Sequence, residues 1–285
     1  MAGLALAIVA VSTSAILIRW SHAPSIVKAF YRVLFTSLLL LPVAVVRYRD
    51  EFRALSRRDL AVATVTGVVL SVHFVSWFES LDWTSVAASV TLVQSQPMFV
   101  AVGAYFLLGE RVTNRTLLGM GVALVGVVVM SLGGLLSAAP SDVTLYGNAL
   151  AIVGAIAAAG YVLAGRSLRQ HVSLVPYVTI VYSVCAVALL AVALFDGAPV
   201  ALTAYPPREW ALFLAMAVGP GIFGHTVINW ALKYVESSVV SVALLGEPVG
   251  SSILALVLLS EVPGPTTILG GAIILFGIYV TATAR

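Results

Sequence analysis

Two histidines, each followed one helical turn later by a second polar or aromatic group, are the residues of this chain best suited to handling a charged solute. His73 and Trp77 stand at i and i+4, as do His225 and Asn229, so each pair shares a face if its segment is helical. An imidazole there can donate to a carboxylate or accept a proton near neutral pH; equally, it can bond a neighbouring helix. Lys28, Tyr31 and Arg32 share another face. They could meet a substrate carboxylate, although Lys28 could equally reach outward to lipid headgroups. Glu247 lies in Gly246-Glu247-Pro248-Val249-Gly250. Proline removes a backbone donor, so a kink beside an acid is expected, suited to a gate or a proton carrier; a structural acid is the plainer alternative. Gln96-Pro97 stands in the matching place earlier in the chain, making Pro97 a second candidate hinge. Gln94 could line a site or face a neighbour helix, and Tyr161 and Tyr182 could stack on an apolar or aromatic substrate.

All these groups fall within apolar runs, where polar side chains are costly and face a cavity or a partner. Of the 285 residues, 61% are hydrophobic and 9% charged. A soluble domain carries about 25% charged residues. The apolar runs are continuous, unlike the alternation of a membrane β-barrel. Cutting at polar clusters leaves ten spans, at 2–18, 26–46, 60–79, 84–107, 115–135, 145–164, 175–195, 209–230, 237–259 and 266–283. The cuts carry turn chemistry, such as Ser-His-Ala-Pro at 21–24, Ala-Ala-Pro-Ser-Asp at 138–142 and Pro-Gly-Pro at 263–265. The first stretch lacks a basic leader and is followed by comparable spans, so it reads as a helix, not a signal peptide. Trp20, Trp83, Tyr205 and Trp210 fall at predicted interfaces, as aromatic anchors do.

Basic residues orient the spans. Arg47, Arg49, Arg53, Arg57, Arg58, Arg111, Arg115, Arg166, Arg169, Lys233 and Arg285 fall on one side, against Arg19 and Arg208 on the other. Both termini are therefore expected in the cytoplasm. The halves also repeat. Ala5-Leu6-Ala7-Ile8-Val9 recurs as Ala149-Leu150-Ala151-Ile152-Val153, Pro24 parallels Pro176, and His73 parallels His225. Gln96-Pro97 parallels Glu247-Pro248, Gly109-Glu110 parallels Ser260-Glu261, and Gly119 and Gly126 parallel Gly270 and Gly277. With five spans in each half, the copies must cross in opposite senses, an architecture that places sites at the repeat interface. The expected fold is thus an all-α membrane protein of ten transmembrane helices in two inverted five-helix repeats, 1–137 and 145–285. The small residues of spans five and ten read as a helix-packing face.

Pro97 with Gly109-Glu110-Arg111-Val112-Thr113, Gly119 and Gly126 resembles the EamA module of the drug/metabolite transporter superfamily. Glu247-Pro248, Glu261, Gly270 and Gly277 look like its second copy, without the glycine before the acid and the Arg-Val-Thr after it. The YddG-type amino-acid exporters of bacterial inner membranes are similar. The resemblance implies export of amino acids or related metabolites through a central cavity; drug and other metabolite carriers share these motifs.

Other functions lack support. No H-E-x-x-H, G-x-S-x-G or Walker motif is present, so neither an enzyme nor an ATP-driven pump is expected. Gly219-Pro220-Gly221-Ile222-Phe223-Gly224 mimics a dinucleotide loop but sits in an apolar span, where its glycines would loosen span eight for movement. The basic residues form no stripe for nucleic acid, and the single cysteine, Cys185, allows no internal disulfide. The expected partners are a small-molecule substrate and the bilayer, with no cofactor or metal; a monomer is compatible with the sequence.

Overall fold

The computed structural model describes residues 2–84, 86–136, 142–260 and 262–283. Glu261 and residues 138–141 of the predicted cut at 138–142 lie outside them. Among the described residues ten segments are long and apolar enough to cross a membrane, all close to the expected spans. The helices are α1 (Ala2–Trp20), α2 (Ser25–Arg47), the short α3 (Arg49–Ala54), α4 (Arg57–Trp83), α5 (Val86–Val93), α6 (Gln96–Leu108), α7 (Asn114–Leu136), α8 (Asp142–Leu168) and α9 (Leu174–Phe195). Span eight joins α10 (Pro207–Met216), a π-helical stretch (Ala217–Thr226) and α11 (Val227–Ala231). The chain ends with α12 (Ser237–Leu244), α13 (Glu247–Leu259) and α14 (Pro265–Ala282). Large apolar side chains lie on the outside, with Phe195 92% and Val46 80% exposed, as a lipid environment allows and water does not.

Spans four and nine are interrupted by two-residue turns whose backbone stays in the right-handed helical region, the Ser95 and Gly246 N–H groups bonding the carbonyls of Leu92 and Ala243. α5 stops before Gln94-Ser95 and α12 before Leu245-Gly246, and Gln96-Pro97 and Glu247-Pro248 then open α6 and α13. Proline in the first turn is tolerated because its missing N–H would have had no helical partner there. The two half-helices also end alike. Gly109 closes α6 at φ 64° and Ser260 closes α13 at φ 57°, their N–H groups returning to the carbonyls of Ala104 and Ala255.

The Gly109-Glu110-Arg111-Val112-Thr113 segment thereby acquires a structural meaning. Gly109 ends α6. The Glu110 carboxylate accepts from the Ser237 backbone N–H at 3.1 Å and its hydroxyl at 2.8 Å, at the start of α12. Thr113 Oγ1 accepts the Thr116 N–H at 3.1 Å, capping α7.

Two compact units divide the chain. The first comprises Met1–Phe74 and Ala164–Tyr234, the second Val75–Leu163 and Val235–Arg285. Each takes helices from both sequence halves, so the packing units cut across the repeat. In the first unit α1 lies along the π-helical stretch and α2 along α9. Contacts of Gly3 with Trp230, Val11 with Gly224 and Thr13 with Gly219 show α1 running antiparallel to span eight. In the second unit α7 and α14, the repeat-related spans five and ten, pack along their lengths. A Cβ on Gly126 would meet Ile274 N at 2.7 Å and Gly270 O at 2.8 Å, and one on Gly277 would meet Ala123 N and Gly119 O at 2.5 Å. Low residue numbers on one helix meet high ones on the other, so the mates are antiparallel, as an inverted pair must be. Ala123, Val127, Val242, Leu245 and Ile274 form the apolar core around this seam.

Candidate functional site

In the first unit α2, α4, α9 and the π-helical stretch line a small, partly open pocket. α2 contributes Arg32, Val33 and Thr36, and α4 contributes Leu70 and Phe74. Tyr182 comes from α9, and Gly221 and His225 from span eight. The spacing of 32/36, 70/74 and 221/225 puts each pair on one face of its segment.

The π-helical stretch shapes the wall. Pro220 cannot donate to the carbonyl one turn back, which breaks the α-helical ladder. Gly221 has no side chain, and a Cβ there would collide with Thr36 Oγ1, so α2 approaches the backbone directly. Thr36 Oγ1 lies 2.7 Å from the Arg32 carbonyl and 3.2 Å from that of Ala217. The Thr226 hydroxyl donates to the Gly221 carbonyl at 3.1 Å, so side-chain hydroxyls help to satisfy the distorted backbone.

Arg32 supplies the charge. It is 6% exposed, and its guanidinium carbon stands 4.9 Å from the centre of the Phe74 ring, a cation–π contact. Phe74 also meets the His225 ring edge-on at 6.1 Å and lies 5.2 Å from that of His73. Asn229, fully buried, donates to the His225 carbonyl at 2.8 Å, and its amide nitrogen is 3.4 Å from the Tyr182 hydroxyl. That hydroxyl is in turn 3.4 Å from Thr226 Oγ1. A guanidinium, an imidazole and two hydroxyls thus belong to residues that line one small, mainly apolar pocket.

Of the residues singled out in the sequence, Arg32, His73, Tyr182, His225 and Asn229 fall together in this unit. Tyr31 is in the same unit but serves packing. Its hydroxyl donates to the Val200 carbonyl at 2.6 Å, and its ring packs with Phe213 and Trp210 at 5.0 and 4.8 Å. Trp77, Gln94, Pro97, Tyr161, Glu247 and Pro248 belong to the second unit. There Tyr161 is buried, Trp77, Gln94 and Glu247 are half-buried, and the two prolines start the half-helices.

Lys28 departs from the alternative of reaching outward. It is 9% exposed, with its ammonium 3.4 Å from the carbonyls of Ile18 and Ser21. Glu209, which the sequence reading passed over, is buried beside the same turn and accepts from the Ser21 hydroxyl and the His22 N–H. Trp210 likewise packs inward, its indole N–H donating to the Tyr205 carbonyl at 3.1 Å. Thr36 and Phe74 were also missed, since a threonine and a phenylalanine in an apolar run carry no signal of a site.

The chain as a whole is similar to known proteins. The chain is 26% identical to the uncharacterized transporter YetK of Bacillus subtilis, over 92% of this chain and 79% of that protein. It is 28% identical to an uncharacterized transporter of Archaeoglobus fulgidus, over 90% of this chain and 87% of that one. The pseudopaline exporter CntI of Pseudomonas aeruginosa is 27% identical, over 88% of this chain and 84% of the exporter. A protein of known crystal structure shares the fold with a TM-score of 0.82 at 21% identity, covering 99% of this chain and 95% of that chain. The model of the EamA-like transporter family matches twice, at residues 1–132 and 145–283. With nearly its whole length matched by that model, the chain belongs to the EamA-like transporter family and is a multi-pass membrane transporter.

Proposed function

We propose that this transporter exports amino acids and related small metabolites by alternating access, as the YddG-type exporters it resembles do. It would do so from a bacterial cytoplasmic membrane, with both termini inside. The observation that carries the substrate reading is Arg32, a buried guanidinium against Phe74 at the edge of a cavity shared with Tyr182 and His225. A substrate carboxylate would pair with Arg32, Tyr182 and His225 would orient it, and Phe74 and Leu70 would receive its apolar part. His73, Trp77, Gln94 and Tyr161 are proposed as further contacts, on the strength of polar or aromatic groups within spans. Glu247 with Pro248, and Pro97, are proposed as gating positions because they sit where spans nine and four are interrupted. The outward direction is supported by the relative named as an exporter, and the orientation by the distribution of arginine and lysine.

Counterflow in proteoliposomes tests the proposal. Vesicles holding the full chain and loaded with one unlabelled amino acid should take up the labelled form saturably, for at least one member of a panel of the twenty. A static pore would give no counterflow, and failure with all twenty would remove the amino-acid reading. The same vesicles test the hypothesis that Glu247 or His73 titrates during the cycle. Accumulation unchanged by an imposed pH gradient would reject coupling.

A further inference from the structure

Arg169 follows α8 in a predicted cytoplasmic loop, where a basic residue is ordinarily accounted for by headgroups and water. It is instead 3% exposed. Its Nε donates to the backbone carbonyl of Asn229 at 3.2 Å, and its Nη1 donates to the carbonyl of Val172. Burial pulls its pKa down, and the nearby Tyr234 and Tyr177 oppose that shift. Gly165, one turn earlier on α8, leaves room for the same residue by lacking a side chain. A Cβ there would meet the Asn229 side-chain oxygen at 3.0 Å, Leu232 at 2.9 Å and the Tyr177 hydroxyl at 3.2 Å. Arg169 therefore holds the Asn229 backbone while Gly165 makes space for its side chain. Arg166 reaches the carbonyls of Leu232 and Lys233 at 2.9 and 3.2 Å, but these lie beyond the turn that bears Asn229.

The Asn229 amide nitrogen also donates to the His225 backbone carbonyl and stands 3.4 Å from the Tyr182 hydroxyl. A guanidinium at the carbonyl end of a helix is a favourable and directional anchor. Span eight needs such an anchor, because its π-helical stretch ends only three residues before Asn229. We propose that Arg169 is a positioning residue for the Arg32 cavity: by holding the Asn229 carbonyl it fixes the turn from which Asn229 sets His225 and Tyr182. The inference rests on the reading of that cavity as the substrate site.

The test compares Arg169→Gln, Arg169→Lys and Arg166→Gln in the full chain in lipid vesicles. One arm is counterflow of a labelled mixture of the twenty amino acids; the other is amide hydrogen exchange over residues 225–232. Arg169→Gln should raise KM about fivefold or more with Vmax within about twofold, and speed exchange in that segment. Arg169→Lys should recover most of both effects, and Arg166→Gln should leave both near wild type. Equal effects of Arg169→Gln and Arg166→Gln, or a loss of Vmax alone, would overturn the proposal. Should Arg169→Gln fail to fold, Gly165→Ala, which pushes on Asn229 from the other side, should raise KM in the same way; an unchanged KM overturns the claim. If the wild type carries none of the twenty, the substrate reading fails on its own. The exchange arm then judges Arg169, and exchange no faster than in Arg166→Gln rejects it.

Discussion

Ser260 carries a backbone strain that its counterpart avoids. Gly109 and Ser260 end repeat-related half-helices in the left-handed conformation, at φ 64° and 57°. Glycine adopts it without penalty, whereas a side chain there costs about 1–2 kcal/mol. Ser260→Gly should therefore raise the unfolding free energy by about 1 kcal/mol, once glycine's extra chain entropy is offset against the relief. Thermal unfolding in detergent reads this as a rise in Tm; a fall would mean that the serine makes a compensating interaction. The missing glycine of the second motif copy thus marks a strained cap, not a different turn. Single residues differed in how much they disclosed beforehand. Arg32 was legible because a charge within an apolar run demands an explanation. Arg169 was not, since a basic residue at a span end looks the same whether it meets headgroups or folds back on a carbonyl.

At the scale of helices, the seam between α7 and α14 depends on the absence of side chains. Gly126 faces backbone atoms of α14 at 2.7 and 2.8 Å from where a Cβ would stand, so a methyl group has no flexible neighbour to displace. Gly121, five residues earlier on α7, has nothing within 4 Å. Gly126→Ala should cost about 1–3 kcal/mol by forcing the helices apart. Gly121→Ala should be neutral or stabilising by up to about 1 kcal/mol through helix propensity. Comparing the two melting temperatures checks this, and equal effects would mean that the seam adapts. Spans and seam were readable in advance, because long apolar runs and repeated glycines report directly on lipid and close packing. The prolines announced an interruption, and in each span they follow a two-residue turn in the helix. Span eight was readable only as loosened by glycines. Pro220 signals a disrupted ladder there, but not that it extends as a ten-residue π-helical stretch packed against α1 and α2.

For the molecule as a whole, the inverted repeat and the charge distribution together predict which side each loop occupies. In a Cys185→Ser background, cysteines at Leu60 and Arg208 should react with an impermeant maleimide from opposite sides, Leu60 from the cytoplasm. Labelling from the same side would undo the inversion. The division into two compact units was not foreseen, because contact between helices of different halves is a property of the folded chain. Of the nine predicted substrate contacts, Arg32, Tyr182 and His225 line one pocket with Phe74, and what that pocket receives decides the function. The decisive measurement is counterflow of a transported amino acid against its carboxamide, in wild type and in Arg32→Gln. A buried guanidinium acting on a carboxylate predicts at least about a tenfold preference for the acid in wild type, and its loss in the variant. Equal transport of acid and amide by the wild type, or an undiminished preference in Arg32→Gln, would contradict the assignment of this cavity as the substrate site.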